Sequence, residues 1–426
     1  MRTLILGAAV SGAAAADLAA RLGHQVSVYD RSSTSTISLR DLGYAVHSGA
    51  WADHFLAGIG LVVASPGFPE HSDPIQDALG ARIEVISELE FGARHLTVPY
   101  VAVTGTNGKT TVTNTITDML TESGIPAVSA GNIGTPVSGL SDDSTAIVVL
   151  EASSFQLRFI DRFHPVAAGI VNVAADHLDW HGSVGAYGSA KARIFENMSP
   201  SELAVYGADD PGATEIAALA ECRTIGVSGT AVSRDGVGPV DETLQMGDRR
   251  FQISTSDPSW VTDLGIAAVM ASSVGATDAG IATVLAGFTP GPHRRRTVGT
   301  SRGITWIDDS KATNPHAARA AAQAYDRVVL LAGGRNKDLD LSTIAPETVR
   351  HVVAFGEAAP SIAAGIGTPV TVVSDLASAV ETAARIAIQG DTVLLAPGCA
   401  SFDEFESYAI RGERFAELVA GVEAAK

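Results

Sequence analysis

Short apolar runs alternate with longer segments of helical periodicity along most of the chain. Near the start, apolar strands are predicted at Thr3–Leu6, Gln25–Tyr29 and Leu61–Ala64, with a turn at Gly7–Gly12 and a helix at Ala13–Leu22. Strands without a polar face are typical of parallel sheets that are covered by helices on both sides. This part of the chain is therefore predicted to form a Rossmann-like domain.

The same alternation restarts twice. A second run begins with a strand at Tyr100–Thr104, passes a Gly-rich turn into a helix at Lys109–Ser123 and reaches a strand at Ala146–Leu150. After the Pro/Gly cluster at 287–292, strands are predicted at Ile304–Ile307, Val328–Leu331, Val352–Phe355 and Thr392–Leu395. We therefore predict an α/β fold of three consecutive domains: a Rossmann-like domain at 1–92, a nucleotide-binding central domain at 93–290 and a Rossmann-like domain at 291–426.

One segment, residues 228–248, interrupts the pattern. It is rich in Gly, Ser, Thr and Asp and has few large apolar residues. This composition is typical of surface loops. We expect an excursion on the surface of the central domain that carries no chemistry.

Composition excludes several classes of protein. The 426 residues are 46% hydrophobic and 18% charged, and they carry a net charge of -18, which disfavours binding to nucleic acid phosphates. The two cysteines, Cys222 and Cys399, lack the spacing of a metal site or a disulfide framework. No apolar run predicts a membrane span, and the first residues fit a strand and helix better than a secretory signal. A cytoplasmic protein without membrane insertion is expected.

The most informative segment is the strand, turn and helix start at residues 101–111, which read VAVTGTNGKTT. Glycine amides and a helix N-terminus bind phosphate oxygens, Lys109 could reach the β and γ phosphates, and the Thr110 hydroxyl could bind Mg²⁺. Val103 stands where the common GxxxxGK[ST] pattern has its first glycine, so this loop is a shorter variant. It predicts a nucleoside triphosphate site.

This variant loop resembles the ATP loop of the Mur ligase family, and further matches to that family follow in order along nearly the whole chain. They are Gly131–Gly134, Glu151–Leu157, Asp176–Asp179, Ala190–Phe195, Pro292–Arg294, Asp309–Pro315 and Cys399–Asp403. The resemblance implies an ATP-dependent ligase that adds D-glutamate to UDP-N-acetylmuramoyl-L-alanine through an acyl phosphate during peptidoglycan precursor synthesis. It leaves the oligomeric state open, with a monomer favoured.

The resemblance also implies site residues. For ATP they are Gly105, Thr106, Asn107, Gly108, Lys109, Thr110, Thr111, Arg294, Asp309 and Lys311. For the two substrates they are Val10, Ser11, Asp30, Ser65, Gly67, Asn132, His177, Thr313, Lys337, Ser401, Phe402 and Tyr408. Within the second set, the loop at Val10 matches the UDP pyrophosphate site, and Lys337, Ser401, Phe402 and Tyr408 resemble the D-glutamate pocket.

The catalytic residues implied in the same way are Lys109, Glu151, His177 and Lys191, and two Mg²⁺ ions are expected on Thr110, Glu151, His177 and Lys191. A carboxylate at a strand end beside the phosphate loop suits Mg²⁺. An ammonium cannot bind a metal, but the family carries a CO₂-derived carbamate at the position that matches Lys191. A desolvated, neutral lysine can add CO₂ and so become an anionic ligand.

Two segments depart from the family pattern. The usual His-Asn-x-x-Asn stretch that contacts the nucleotide base is replaced around Trp260–Gly265, and Asp338 stands where glycine is usual.

Two other functions compete with this interpretation. A sister ligase or a folylpolyglutamate ligase would share the phosphate loop and accept another amino acid. The other alternative is an NAD-binding redox protein, because Gly7–Gly12 and Asp30 partly match the dinucleotide fingerprint. That function would leave Lys109, Glu151 and Lys191 unexplained.

Overall fold

The structure, a computed structural model, describes residues 1–140 and 146–424. The strands are β1 (Arg2–Leu6), β2 (Gln25–Asp30), β3 (Ala45–Ser48), β4 (Leu61–Ala64), β5 (Glu84–Ser87), β6 (Tyr100–Thr104), β7 (Ala127–Gly131), β8 (Ile147–Glu151), β9 (Ala167–Ile170), β10 (Leu203–Gly207), β11 (Arg223–Val227), β12 (Val237–Val240), β13 (Thr243–Met246), β14 (Arg249–Gln252), β15 (Arg296–Ser301), β16 (Ile304–Asp308), β17 (Val328–Gly333), β18 (Val349–Phe355), β19 (Val370–Val372) and β20 (Thr392–Gly398).

The α-helices are α1 (Val10–Arg21), α2 (Ile37–Asp41), α3 (Asp73–Gly80), α4 (Glu88–Ala93), α5 (Lys109–Glu122), α6 (Ser154–Arg158), α7 (Leu178–His181), α8 (Val184–Ala192), α9 (Pro211–Ala217), α10 (Pro258–Ser273), α11 (Asp278–Gly287), α12 (Pro315–Gln323), α13 (Ala359–Gly365), α14 (Leu376–Ile386) and α15 (Tyr408–Ala424). Short 3₁₀ helices lie at Asp53–Leu56, Val137–Gly139, Arg193–Phe195 and Leu341–Thr343. Strands and helices alternate, as the hydrophobic pattern predicts.

Three sheets of mainly parallel strands follow one another along the chain, which confirms the α/β fold class of three consecutive domains. Their strand orders are β3-β2-β1-β4-β5, β11-β10-β9-β6-β8-β7 and β15-β16-β20-β17-β18-β19, and only β15 pairs antiparallel, with β16. Parallel strands joined by helices bury both faces of a sheet. In β6, Val101 and Val103 face one apolar cluster while Tyr100 and Ala102 face another.

The contacts divide the chain into two compact units. The first unit comprises residues 1–173 and 185–288, and the second comprises residues 174–184 and 289–426. The first unit therefore holds the first two sheets, and the second unit takes the short segment 174–184 from the middle of the chain. The domain limits at 92/93 and 290/291 stay predictions.

Within the first unit, ion pairs and hydrogen bonds join segments that flank the first sheet to segments that flank the second. Arg158 at the end of α6 donates from Nε and Nη2 to the two carboxylate oxygens of Glu70, at 2.6 and 2.5 Å. Glu88 in α4 accepts a hydrogen bond from the main-chain N–H of Ser138 at 2.7 Å. These contacts explain why the two sheets form one compact unit.

Two sequence expectations are wrong in detail. The first helix begins at Val10 instead of Ala13, and its Gly12 lies so close to Gly7 that a Cβ would come within 1.9 Å of the Gly7 carbonyl oxygen. Glycine here reflects close packing of helix on loop, and the turn is shorter than the Gly-to-Gly spacing suggests.

The segment at 228–248 is also not a surface excursion. It leads into the antiparallel sheet β12-β13-β14, whose Val237, Leu244 and Met246 are buried in the core of the first unit. Side chains alternate between the two faces of a strand, so a few apolar residues are enough to cover one face of this sheet. A low content of apolar residues therefore did not indicate a surface loop.

Within residues 1–140 and 146–424, no helix is both long and apolar enough to cross a membrane.

Arg411 in α15 fixes two loops at the end of the third sheet. The side chain is fully buried, and its guanidinium donates to Ser310 Oγ at 2.9 Å, to Ser310 O at 3.0 Å and to Cys399 O at 3.2 Å. Burial lowers the pKa of Arg411 to about 10, which still leaves the group charged at neutral pH. One buried cation thus serves as the donor for the loops after β16 and β20.

We expect Arg411→Ala to lower the free energy of unfolding of the second unit by roughly 3 kcal/mol, because buried carbonyl oxygens lose their donors. Urea denaturation followed by tryptophan fluorescence would measure this change. Trp306 reports on the second unit, because the centre of its ring lies 6.2 Å from that of Phe415, which is in α15 like Arg411. The control is Arg414→Ala, whose exposed pair with Glu417 should contribute at most about 0.5 kcal/mol. Equal effects of the two substitutions would contradict this role of Arg411.

Candidate active site

The phosphate loop, residues 105–108, joins β6 to α5 and has its shape set by the protein itself. Gly108 has a φ of +84°, and a Cβ on it would lie 2.4 Å from Asp263 Oδ1, so no other residue fits. The Thr106 N–H donates to Asn172 O at 2.9 Å, and the Asn107 N–H donates to Asn172 Oδ1 at 2.8 Å. Asn172, just after β9, therefore holds the loop in place.

Lys109 lies over this loop. Its Nζ donates to the carbonyl oxygens of Gly105 at 2.8 Å and Thr106 at 3.0 Å. Lys109 also begins α5, where the first-turn N–H groups have no acceptor within the helix. The ammonium, these amides and the positive end of the helix dipole together could bind an anion, which is the role that the sequence predicts for this loop.

Glu151 ends β8, the strand next to β6, and is only 2% exposed. Its Oε1 accepts a hydrogen bond from Asn132 Nδ2 at 2.7 Å, while its Oε2 is buried without a partner. The Asn132 N–H donates to Glu151 O at 2.9 Å, and Gly131 allows this approach because a Cβ there would lie 2.5 Å from the same oxygen. A buried carboxylate oxygen without a partner is costly unless a cation binds it.

Lys191 in α8 is 1% exposed and lies at the start of the phosphate loop. Its Nζ donates to Gly105 O at 2.7 Å and lies 3.5 Å from Thr104 Oγ1. The same nitrogen lies 4.5 Å from the centre of the Tyr187 ring, and the Tyr187 hydroxyl donates to Thr106 Oγ1 at 3.2 Å. Lys191 is therefore held against the loop by neutral oxygens and an aromatic face.

Thr104 connects these two groups. Its hydroxyl donates to the carbonyl oxygen of Ala152 at 2.8 Å, the residue directly after Glu151. Glu151 and Lys191 therefore both lie around the beginning of the loop, with the half-buried Thr110 in the first turn of α5. Among residues 1–140 and 146–424, no three His, Cys, Asp or Glu side chains form a ready metal site. A Mg²⁺ ion here would bind Glu151 and complete its shell with hydroxyl, water or phosphate oxygens, which is usual for Mg²⁺.

His177 belongs to the second unit, where its neighbour Asp176 is the centre of a polar network. Asp176 is 5% exposed, and its Oδ1 lies 2.7 Å from Lys337 Nζ and accepts the His177 N–H at 2.9 Å. Its Oδ2 accepts from Asn314 Nδ2 at 3.2 Å. Burial raises the pKa of Asp176, but Lys337, His177 and Asn314 outweigh it and hold that pKa below the usual range.

Asn314 and Asp338 show how the local chain builds this network. Asn314 caps α12, since its Oδ1 accepts from the Ala317 N–H at 2.9 Å while its Nδ2 reaches Asp176. Asp338 adopts a φ of +58°, a backbone conformation that glycine adopts without strain and that aspartate tolerates better than most residues.

Most other predicted residues of the second unit lie at the carboxyl ends of β16, β17 and β20, on one edge of the sheet. Lys311 Nζ lies 3.8 Å from the centre of the Tyr408 ring, and the Asp309 carboxylate accepts from the Arg295 N–H at 3.2 Å. Ser401 is buried, and Phe402 is 64% exposed. The predicted residues that follow these strands are Asp309, Lys311, Thr313, Lys337, Ser401, Phe402 and Tyr408. His177 lies near Lys337 because its neighbour Asp176 contacts the Lys337 ammonium.

Asp309 is the most perturbed carboxyl group at this edge. Burial raises its pKa to about 7, although Arg295 and the predicted ATP ligand Arg294 lower it. Nearby, His293 Nδ1 lies 2.7 Å from Asp308 Oδ2, which anchors the segment that carries Arg294.

The predicted UDP residues gather at the carboxyl edge of the first sheet. Asp30 Oδ2 accepts from the Ala8 N–H at 2.8 Å and so holds the loop after β1. Gly7 has a φ of +104°, and a Cβ there would lie 2.7 Å from Ser65 Oγ, which is itself buried without a partner. Val10 and Gly67 are exposed at the same edge, and Ser11 lies in the first turn of α1.

Sequence reasoning missed several residues that build these sites. They are Asn172, Asp176, Tyr187, Asp263, Asn314 and Arg411, and each acts by holding a predicted residue or loop in place. Asp176 and Asn314 were inside matched motifs, which is a signal that could have identified them. The others have no local pattern that reveals a partner far along the chain.

Comparisons with known proteins identify the family of this chain. The Mur ligase middle domain model matches residues 103–248, and the Mur ligase glutamate ligase domain model matches residues 293–399. A UDP-N-acetylmuramoylalanine–D-glutamate ligase of Frankia casuarinae is 39% identical, with 98% of this chain and 93% of the relative covered.

The chain belongs to the Mur ligase family.

Two further Mur ligase comparisons extend this result. A UDP-N-acetylmuramoylalanine–D-glutamate ligase of Desulfosudis oleivorans is 36% identical, covering 98% of this chain and 96% of the relative. The crystal structure of MurF from Acinetobacter baumannii superposes with a TM-score of 0.65 at 16% identity, covering 97% of this chain and 93% of that one. The structural match shows that the Mur ligase fold extends over nearly the whole chain.

We expect Glu151→Gln to weaken Mg²⁺-dependent ATP binding roughly tenfold or more, because the amide keeps the acceptor for Asn132 but loses the negative charge. Isothermal titration with ATP, in Mg²⁺ and in EDTA, would measure this difference. The matched control is Glu196→Gln, a partly exposed carboxylate of the same unit that pairs with Arg193. Unchanged Mg²⁺ dependence in Glu151→Gln would count against a metal at this carboxylate.

Proposed function

We propose that this protein is an ATP-dependent ligase that joins D-glutamate to UDP-N-acetylmuramoyl-L-alanine in peptidoglycan precursor synthesis. The observation that carries the proposal is the match over 98% of the chain to two ligases named for that reaction, at 39% and 36% identity. The geometry around the phosphate loop supports the ATP-dependent part. Action in the cytoplasm and as a monomer stay predictions.

The reaction has two covalent steps. The L-alanyl carboxylate attacks the γ-phosphorus of ATP and breaks the bond between that phosphorus and the bridging oxygen. This step forms an acyl phosphate and releases ADP. The amine of D-glutamate, after losing a proton, attacks the acyl carbon and forms the amide while phosphate leaves. Both steps bring anionic groups together, so the protein must supply positive charge and exclude water.

Residues of the first unit are suited to hold the triphosphate. The first-turn amides of α5 would bind the β and γ phosphates. The Lys109 ammonium would bind them too, and would give up its present contacts with the carbonyl oxygens of the loop. Thr110 and Glu151 would hold Mg²⁺, whose charge offsets repulsion between the phosphate and the attacking carboxylate. The buried Glu151 oxygen without a partner supports this assignment.

Lys191 is the residue that we propose to carry a carbamate. Its near-complete burial disfavours the charged ammonium, and a neutral amine can add CO₂. The hydrogen bonds to Gly105 O and the contact with Tyr187 would then position an anionic oxygen beside the phosphate loop. His177 remains our predicted ligand for a second Mg²⁺ ion.

Residues of the second unit are suited to an amino acid with two carboxylates. Lys337 offers an ammonium for a substrate carboxylate, and its contact with Asp176 at 2.7 Å fixes the position of that ammonium. Thr313, Ser401 and Tyr408 add hydroxyl groups at the same sheet edge, where ligands of parallel sheets usually bind. At the first sheet, the buried Ser65 hydroxyl and the N-terminus of α1 suit the UDP pyrophosphate.

With UDP-N-acetylmuramoyl-L-alanine, ATP and Mg²⁺ present, we expect phosphate release only on addition of D-glutamate, with an equal amount of amide product. The measurement compares D-glutamate, L-glutamate, L-lysine, diaminopimelate and no amino acid by phosphate assay and mass spectrometry. Turnover with another amino acid would instead indicate that the protein is a ligase of the same family with a different amino-acid substrate. NAD binding without any ATP turnover would favour the redox alternative.

We expect Lys191→Arg to abolish turnover, because a guanidinium keeps the positive charge and cannot form the carbamate. Incubation with ¹³C-bicarbonate should give a carbamate NMR signal in the unchanged protein and none in the variant. Circular dichroism and thermal unfolding would verify that the variant is folded. Full activity, or a carbamate signal that survives the substitution, would refute the assignment.

A further inference from the structure

Glu88 is a fully buried carboxyl group that belongs to none of the predicted binding sites. It begins α4, directly after β5, and its Oε1 accepts the main-chain N–H of Ser138 at 2.7 Å. Burial raises the pKa of Glu88, and the hydrogen bonds from Ser138 oppose that rise. A buried polar group is costly unless it is hydrogen-bonded, so the positions of Glu88 and Ser138 depend on each other.

Ser138 lies near the far end of a loop, residues 132–139, that joins β7 to β8 and that we call the Asn132 loop. At its near end, Asn132 contacts Glu151 twice. The Asn132 N–H donates to Glu151 O at 2.9 Å, and Nδ2 donates to Glu151 Oε1 at 2.7 Å. The loop is therefore bound to Glu151 at one end and to Glu88 at the other.

Hydrogen bonds within the Asn132 loop make it compact. The Gly131 N–H, directly before the loop, donates to Thr135 O at 3.0 Å, and the Gly139 N–H donates to Pro136 O at 2.9 Å. Each bond closes a tight turn, so few backbone angles between the two ends are free to change. A displacement at Ser138 is thus passed on to Asn132.

Close packing of α4 on this loop is a second, independent observation. Gly92 lies one turn after Glu88 in α4. A Cβ on Gly92 would lie 2.7 Å from Ser138 N and 2.7 Å from Val137 Cβ. The Asn132 loop is therefore held on α4 by a hydrogen bond and by direct contact that leaves no space for a side chain.

The start of α4 is also fixed relative to the predicted UDP site. Strand β5 pairs with β4, and Ser87 lies opposite Ala64. The predicted UDP residue Ser65 directly follows Ala64, just as Glu88 directly follows Ser87. Glu88 therefore extends from the edge of the first sheet that carries the UDP residues to the loop that contacts Glu151 in the second sheet.

We infer that Glu88 is a positioning residue for the Mg²⁺ site, because it holds the Asn132 loop in the place from which Asn132 directs the Glu151 carboxylate. The inference rests on the proposed function, since it concerns the same cation and the same UDP substrate. Asn132 occupies Glu151 Oε1, and Oε2 is buried without a partner among the described residues. Groups that orient a metal ligand commonly change metal affinity or activity by about 10- to 100-fold.

The experiment uses the full-length protein with Glu88→Met and Glu88→Gln. Methionine keeps the length of the side chain but removes the acceptor for the Ser138 N–H, whereas glutamine keeps an acceptor oxygen. Calorimetric titrations with ATP at graded Mg²⁺ concentrations give the Mg²⁺ concentration for half-maximal ATP binding. We expect that concentration to rise about tenfold with methionine and less than about threefold with glutamine.

Kinetics of the same variants give a second measurement. The KM for UDP-N-acetylmuramoyl-L-alanine should rise in Glu88→Met, because Asn132 is also a predicted substrate residue. The KM for D-glutamate should not change, because its predicted residues belong to the second unit.

Two further variants distinguish positioning from general stability. Leu89→Ala removes a buried apolar side chain of α4 but leaves the hydrogen bond of Glu88. It should lower the Tm and leave the Mg²⁺ requirement unchanged. Gly92→Ala displaces Ser138 from the other side, because the new Cβ needs the space of its N–H. It should therefore raise the Mg²⁺ requirement as Glu88→Met does, and it decides the question if Glu88→Met does not fold.

The outcomes separate the inference from the function on which it rests. A folded Glu88→Met variant whose Mg²⁺ requirement lies within about twofold of the unchanged protein would overturn the inference. So would a Leu89→Ala variant that raises this requirement as much as Glu88→Met, because loosened packing alone would then explain the effect. An unchanged protein that binds Mg²⁺-ATP but forms no amide would instead refute the proposed ligase function, while the comparison of Mg²⁺ requirements would still test Glu88.

Discussion

In each of the three mainly parallel sheets, the chain leaves every strand except β15 at the same edge and must return to the opposite edge before the next parallel strand begins. This constraint collects the loops after β1, β6 and β16 at the carboxyl ends of their sheets, together with the starts of the following helices. Amides without intrahelical acceptors then face the loops. An enzyme that handles a pyrophosphate, a triphosphate and a dicarboxylate can thus meet each anion with the same local architecture.

Buried charge gives these edges their chemistry. Glu151, Lys191 and Asp176 are all at most 5% exposed, and each contacts a main-chain or amide group, while Asp176 also contacts the Lys337 ammonium. Because such burial is costly without compensation, the positions of their partners are tightly constrained. The protein supplies most of that compensation itself, and the Oε2 atom of Glu151 is the site where a cation would complete it.

The sequence predicted much of the fold, because apolar runs and Gly-rich turns are local signals. The strand before the phosphate loop, the helix after it and Glu151 at a strand end all lie as expected. Burial of Lys191 and the pairing of Asp176 with Lys337 could not be predicted, since they depend on contacts between residues far apart in sequence. The sheet β12-β13-β14 was missed because its polar turns dominate the composition and mask its alternating apolar positions.

The second unit draws Asp176 from a short segment that is surrounded in sequence by the first unit. An excised fragment of residues 289–426 would keep the third sheet but leave Lys337 and Asn314 without the carboxylate that both contact. Exchange of the terminal domain between relatives, in the laboratory or by recombination, would meet the same difficulty at its junction. The terminal domain is therefore modular in its sheet but not in the polar network around Asp176, and a transplanted domain must bring segment 174–184 with it.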